Sequence, residues 1–261
     1  MRHFRRKLRT IFFNLLSKVI YKFFALQGKG GAGATVDNEV TAASLFLPIN
    51  PKLIIDVGAN KGDYSRALRL KFKDAELHLF EPSQTNFRIL EKVFATDSRV
   101  TINDYGLSNS NSDMKLFANE PGSGLGSLTK RRLGHFGIDF EFSESIRVQT
   151  FYEYWERDLR KSQIDFIKLD IEGHELSALQ GFGEALKSCR LIQFEFGGCN
   201  IDSRTFFQDF WYFFAAHEFS LFRICSSGVQ RITSYSELDE TFLTTNYLAV
   251  NDNLVAATEY S

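Results

Sequence analysis

The sequence predicts a doubly wound α/β fold: a mostly parallel sheet with helices on both faces and antiparallel additions at its carboxyl end. Three observations predict it. Short apolar runs alternate with helical patterns from residue 52 onward, as a sheet covered on both faces requires. The first run, LIIDV at 53–57, passes directly into a glycine-bearing turn and then a helix. A chain of 261 residues with 44% hydrophobic content can bury one sizeable core, and its 27 Phe make that core ring-rich.

The amino-terminal segment stands apart. Eight of the 31 basic residues and no acid fall within residues 1–36, which leaves 23 basic against 32 acidic residues in the body. Such a body is a poor partner for phosphate backbones, so no nucleic-acid substrate is expected. Apolar residues at 8, 11, 12, 15, 16, 19, 20, 23 and 24 form a helical stripe, and residues 1–27 read as one basic amphipathic helix. Lys18 and Lys22 interrupt the stripe, which argues against both a spanning helix and a signal peptide. Three roles stay open for it: packing on the body or a second copy, lying on an anionic membrane surface, or serving as an Arg-rich targeting segment. Residues 28–36 read as a Gly-rich linker without the G-K-[ST] ending of a phosphate loop, and 37–261 as one domain. The three cysteines, Cys189, Cys199 and Cys225, are odd in number and lack C-x-x-C spacing. A cytoplasmic location is expected, with peripheral membrane contact open through 1–27.

Strands are expected near 52–57, 76–81, 99–103, 164–170 and 190–196. Helices are expected at 63–72, 84–95, 151–161, 174–187 and 203–216. Residues 105–150 break the alternation, with strands at 114–117 and 146–150 around the flexible run PGSGLGS at 121–127. An insertion at that edge is where a substrate lid would sit. Runs at 220–225, 229–233 and 246–250 supply the antiparallel additions.

In a doubly wound sheet the first strand-to-helix turn is the ligand crevice. Here it reads Gly58-Ala59-Asn60-Lys61-Gly62-Asp63-Tyr64-Ser65, with the glycines four apart. A dinucleotide fingerprint needs G-x-G-x-x-G, so this spacing favours a nucleoside cofactor with no pyrophosphate to cradle. Asp56 at the strand end suits an amino or ammonium group, and Asn60 a carboxylate or amide. Glu81, followed by Pro82, ends the second strand 25 residues later, where a carboxylate grips ribose hydroxyls. Asp104 and Tyr105, after the third strand, are placed to hydrogen-bond and stack on an adenine.

With these residues in place, the chain resembles the FkbM family of methyltransferases from about 52 to 250. The matching segments are IIDVGANKGDYS (54–65), LFEP (79–82), IDFIKLDIEGHEL (164–176) and LIQFEF (191–196). The resemblance implies a seven-stranded Rossmann-like sheet, S-adenosylmethionine as methyl donor, and a hydroxyl acceptor on a sugar or other small molecule. It implies donor contacts from the turn 56–65, including Asp56, Gly58, Asn60, Gly62 and Ser65, and from Glu81. Ser127-Leu128 matches a short family motif in the insertion.

A hydroxyl acceptor must lose a proton as it is methylated, and a positioned base serves that step. Candidates cluster after the fourth strand, where alternation puts Lys168 and Asp170 on one face, with Glu172 and His174 just beyond. Asp170 is expected to face the transfer site, with His174 or Glu172 taking the proton; Lys168 could instead be a structural partner of Asp170. Asp170 with Glu195 could hold Mg²⁺, as in related O-methyltransferases, or hydrogen-bond the acceptor; no third ligand is evident and no metal site is assigned. Two rivals stand: an NAD-dependent oxidoreductase with an irregular turn, and a non-catalytic binding protein that kept the fold.

Overall fold

A computed structural model describes the backbone of residues 2–30 and 35–255, and side chains from residue 12 within those spans. The main sheet contains β1 (Leu53–Val57), β2 (Glu76–Phe80), β3 (Val100–Asn103), β7 (Ile164–Leu169), β8 (Cys189–Phe196), β9 (Phe219–Cys225), β10 (Gly228–Ile232) and β11 (Thr245–Asn251). Its order is β10-β9-β11-β8-β7-β1-β2-β3. The five strands from β3 to β8 are parallel, while β11 runs antiparallel between β8 and β9. The sheet has eight strands, one more than the resemblance implies. β10 pairs with β9 through a tight hairpin, so a single extra antiparallel strand fits at the edge without a crossover.

Period-two alternation divides the strand side chains between two cores. Ile55, Val57, Ile167, Leu169, Ile192 and Phe194 face one, under α5 (Phe151–Arg157), α6 (Glu175–Gln180) and α8 (Phe207–Ala216). Ile54, Leu77, Leu79, Phe166 and Leu191 face the other, under α2 (Val36–Ser44), α3 (Asp63–Lys71) and α4 (Gln84–Val93). Stacked rings dominate the first core: Phe194 lies 4.8 Å from Phe210 and 5.4 Å from Tyr247 between centroids.

Several elements differ from expectation. The helix expected at 174–187 is α6 followed by a 3-10 segment at Gly183–Ser188. Gly181 passes so close to the Ser108 carbonyl that a Cβ there would sit 2.0 Å from its oxygen, and Gly183 has φ +51°; the chain breaks where it must pack backbone on backbone. The helix expected at 203–216 begins only at Phe207, as α8; left-handed Arg204 (φ 62°) separates it from an unexpected short helix, α7 (Gly198–Ser203). The insertion folds into its own three-stranded sheet, β4 (Gly106–Leu107), β6 (Phe142–Gln149) and β5 (Ser112–Ala118).

Helix α1 (Arg2–Leu26) forms as expected from its stripe. Most of that stripe is not packed on the body: Phe12, Leu15, Leu16, Val19, Ile20 and Phe23 are each 41–63% exposed, Phe24 is half-buried beside Lys29, and the side chains of Leu8 and Ile11 lie outside the described residues. Residues 28–30, expected to be linker, are packed instead, with the Lys29 ammonium 3.1 Å from the Leu238 carbonyl oxygen and 3.7 Å from Asp239. Residues 31–34 of the expected linker lie outside the described residues. No helix among the described residues is long and apolar enough to cross a membrane.

Candidate active site

A cavity of about 310 Å³ opens at the carboxyl ends of β1, β2 and β7, and the insertion closes over it. That is the size range of small-molecule pockets. Its floor is the glycine turn. Gly58, with φ +82°, is required there, because a Cβ would lie 2.0 Å from the Asp170 carbonyl oxygen. The amides of Gly58 and Ala59 donate to the Phe80 carbonyl at 2.9 and 3.1 Å, which ties the turn to the end of β2. Glu81, 5% exposed, accepts from the Asn60 amide (2.8 Å) and the Ser83 amide (2.9 Å). Burial pushes its carboxyl up to about 7, against the pull of those two N–H groups.

The parallel register sets Asp56 beside Lys168 on the α3 face. Asp56 is fully buried behind the cavity and accepts from Ser65 Oγ at 2.5 Å. Lys168 Nζ reaches Asp170 at 3.1 Å and Asp56 at 3.8 Å, and lies 4.8 Å over the Tyr64 ring. Burial works against its charge, yet the two aspartates hold the ammonium above its ordinary value. Lys168 is thus the structural partner of Asp170, which itself lines the cavity.

Beyond β7 the chain turns through Glu172 (φ +54°) and Gly173 (φ +97°). Two successive left-handed residues bring Glu172 to the cavity and carry His174 away from it. The insertion grips Glu172 twice: Ser127 Oγ donates to its carbonyl at 2.7 Å, and Arg131 pairs with its carboxylate. Burial, then repulsion from Asp170, pushes the Glu172 carboxyl up to about 7, with Arg131 opposing. Glu195 is raised well above the carboxylate range by burial and by Asp170, Glu172 and Glu175. Leu128, packed against the insertion residues Leu116, Ile146 and Val148, also lines the cavity.

The structure corrects several expectations. His174 does not line the cavity; its Nε2 lies 3.0 Å from Ser108 Oγ, and burial lowers its basicity, so the histidine is removed as the proton acceptor. Asp104 and Tyr105 do not line it either, because β3 ends at Asn103 and the turn sends Tyr105 into the core, edge-on to Phe80 at 5.4 Å. Asp104 pairs with Arg147 at the surface. The Mg²⁺ reading through Asp170 and Glu195 does not fit. Asp170 is held by Lys168; the grouping with metal-ligand proximity is Glu172, Glu195 and Cys199, atoms within 4.8 Å of one another. A thiol held protonated by burial and a carboxylate already carrying Arg131 are poor ligands for a hard cation. Asp56, Gly62 and Ser65, also expected to contact the donor, shape the turn from behind, Asp56 against Ser65 and Lys168 and Gly62 against Leu90 and Phe94, and do not face the cavity, whereas Pro82 does.

Other lining residues escape a linear reading. Helix α2 contributes Val36 and Glu39. Glu39 accepts from Gln193 Nε2 (2.7 Å) and Asn246 Nδ2 (3.2 Å), on β8 and β11, and burial raises its carboxyl. Asn86 on α4 is 2% exposed with its Oδ1 unpartnered; a polar residue on the buried side of an amphipathic helix was the one available signal. The run 121–127 lies across the turn, close enough that a Cβ on Gly124 would be 3.1 Å from Asn60 Nδ2.

Glu175, fully buried just behind the wall, accepts from the Ile171 and Gly173 amides at 2.9 and 3.2 Å, while its Oε2 has no partner. Burial pushes this carboxyl up to about 8. The folded state therefore holds the proton more tightly than the unfolded chain, and stability falls as pH rises from about 4.5 to about 8. Glu175→Gln should raise Tm by about 2–4 °C at pH 9 and leave it unchanged near pH 5. Thermal melts at the two pH values check this.

A family model described as the methyltransferase FkbM domain matches residues 56–221. The chain is similar to methyltransferase sdnD of Sordaria araneosa, 29% identical over 163 residues, 53% of this chain and 62% of that protein. It thus spans less than two thirds of that relative's length. Among solved structures, it is similar to the Methanococcus jannaschii fibrillarin pre-rRNA processing protein, with 12% identity, coverage of 84% of this chain and 76% of that one, and TM-score 0.48. It is similar also to M. capricolum TrmK in complex with S-adenosyl-homocysteine, with 9% identity, coverage of 84% and 70%, and TM-score 0.45. Because the matched stretch runs through the glycine turn, Glu81 and the Glu172 turn and covers more than half of the sequence, the chain belongs to the methyltransferase FkbM domain family.

Proposed function

We propose that this protein is an S-adenosylmethionine-dependent methyltransferase that O-methylates a hydroxyl on a small molecule of the sugar or natural-product type. The observation that carries the reading is the acidic, acceptor-rich lining of the cavity wall. Seven acidic side chains line it (Glu39, Asp63, Glu81, Glu144, Asp170, Glu172 and Glu195) against two lysines, Lys61 and Lys168, and burial raises Glu39, Glu81, Glu172 and Glu195 towards their neutral forms. A wall of carboxyl oxygens whose Lys168 is already paired with Asp170 offers acceptors to an ammonium and to hydroxyls and no cationic cradle for a pyrophosphate, which disfavours the NAD reading. Three lining side chains have oxygens without a protein partner, Asn60 Oδ1, Ser83 Oγ and Asn86 Oδ1, and these match the donor hydrogens of an adenosine.

When bound, the donor supplies a methyl group on a cationic sulfur. Glu81 keeps lone pairs free for ribose hydroxyls beyond its two amide bonds. Alignment comes from the rigid turn and the insertion that covers it. Glu172, with its carboxyl near neutrality, accepts the proton of the acceptor hydroxyl, and Asp170 beside it orients that hydroxyl.

Isothermal titration with S-adenosylhomocysteine and, separately, NAD⁺ tests the reading. Binding of the first alone, unchanged by EDTA, is expected. Binding of NAD⁺ alone would overturn it, and binding of neither would favour a non-catalytic protein of this fold.

A further inference from the structure

We infer that α1 lies on an anionic lipid surface, rooted at the rim of the cavity. Phe12, Leu15, Leu16, Val19, Ile20, Phe23 and Leu26 share one helical face and are each 41–63% exposed, while Phe24 at the edge of that face is half-buried beside Lys29. The helix carries Arg2, Arg5, Arg6, Lys7, Arg9, Lys18 and Lys22 and no acid. An exposed apolar face on a helix whose only formal charges are cationic is the pattern of a helix lying in the interface of an anionic membrane. No described helix can span the bilayer, and an anionic surface takes the apolar face and the cationic flanks together, so lying on it is the arrangement these residues satisfy.

The root of the helix adds the position. Buried Lys29 is held by Leu238 and Asp239; the Gly30 amide donates to the Thr244 carbonyl at 3.0 Å, and Cys225 Sγ donates to the Gln27 carbonyl at 3.2 Å. Gly28 packs so tightly that a Cβ would lie 2.0 Å from the Ile224 carbonyl oxygen. These contacts sit at the end of β9 and the start of β11, on the same sheet edge as the cavity. Val36, six residues beyond Gly30, already lines the cavity. A lipid surface bound by α1 would thus lie beside the cavity mouth. This inference stands independently of the proposed reaction.

Flotation of the full chain with phosphatidylcholine vesicles, with and without phosphatidylserine, tests it. The bound fraction should rise roughly ten-fold or more with the anionic lipid and fall at high salt. Lys18→Glu/Lys22→Glu should cut binding to anionic vesicles roughly ten-fold, and Leu16→Glu/Phe23→Glu should abolish it. All four side chains face solvent, so unchanged circular dichroism and melting should accompany the loss. Absence of flotation with either lipid, or flotation undiminished by Leu16→Glu/Phe23→Glu, would overturn the inference. So would a dimer in sedimentation velocity that this variant dissolves while vesicles bind no protein, since a second copy would then cover the stripe.

Discussion

Glu172→Gln is expected to lower turnover by about 10²- to 10⁴-fold while leaving S-adenosylhomocysteine affinity within about three-fold of the parent. The glutamine keeps an acceptor for Arg131 and nearly the same shape, so the change is confined to proton acceptance. The pH profile supplies the decisive readout. A base must be unprotonated to work, so the parent rate should rise with pH and level off above about 7, the value to which burial and Asp170 push this carboxyl. In the variant that limb should disappear. The rates are to be measured on an alcohol found by screening sugars and natural-product hydroxyls. Retention of full turnover and an unaltered profile would move the proton to another group, with Asp170 next in line.

Glu81→Ala should weaken S-adenosylhomocysteine binding by about 100-fold or more. Two effects add. The donor's hydroxyls lose their acceptor, and the buried amides of Asn60 and Ser83 lose theirs, each at a cost of about 1–3 kcal/mol. The second effect loosens the turn itself, because Glu81 is the only side chain bonded to both its amides and those of the α4 entry among the hydrogen bonds of the described residues. Glu81→Gln separates the two, since it retains an acceptor but no charge, and its loss should be smaller. Calorimetric titration of both variants, beside their melting curves, reads the difference. Affinity within three-fold of the parent for Glu81→Ala would take this carboxylate out of the donor site.

How far the site was legible follows from how locally each feature is determined. Strand β1, the turn and Glu81 were legible because a strand, a glycine turn and a strand-end acid occur in fixed order along the chain. Asp170 and Lys168 were legible because strand alternation fixes which side chains share a face. Of the misplaced residues, Asp104, Tyr105 and His174 lie past a strand end, where alternation no longer holds, and Asp56, Gly62 and Ser65 belong to the first strand and its turn but sit behind the crevice. At Glu172 and Gly173 two left-handed residues reverse which of the next side chains meets the cavity. Helix α2 escaped because nine residues beside a glycine run carry little periodic signal, and Glu39 gains its meaning only from Gln193 and Asn246.

By itself the sequence determined the doubly wound sheet, the position of the crevice, the family and the amphipathic character of α1, since periodicity and short motifs are properties of neighbours along the chain. Tertiary structure alone decided the order in which the eight strands pair, the solvent exposure of most of the α1 stripe, and the protonation of the cavity wall with its Glu172–Arg131 contact. Those depend on groups brought together from distant segments, where burial and Coulomb interactions set protonation and partner choice, and neither is encoded in any one stretch of residues.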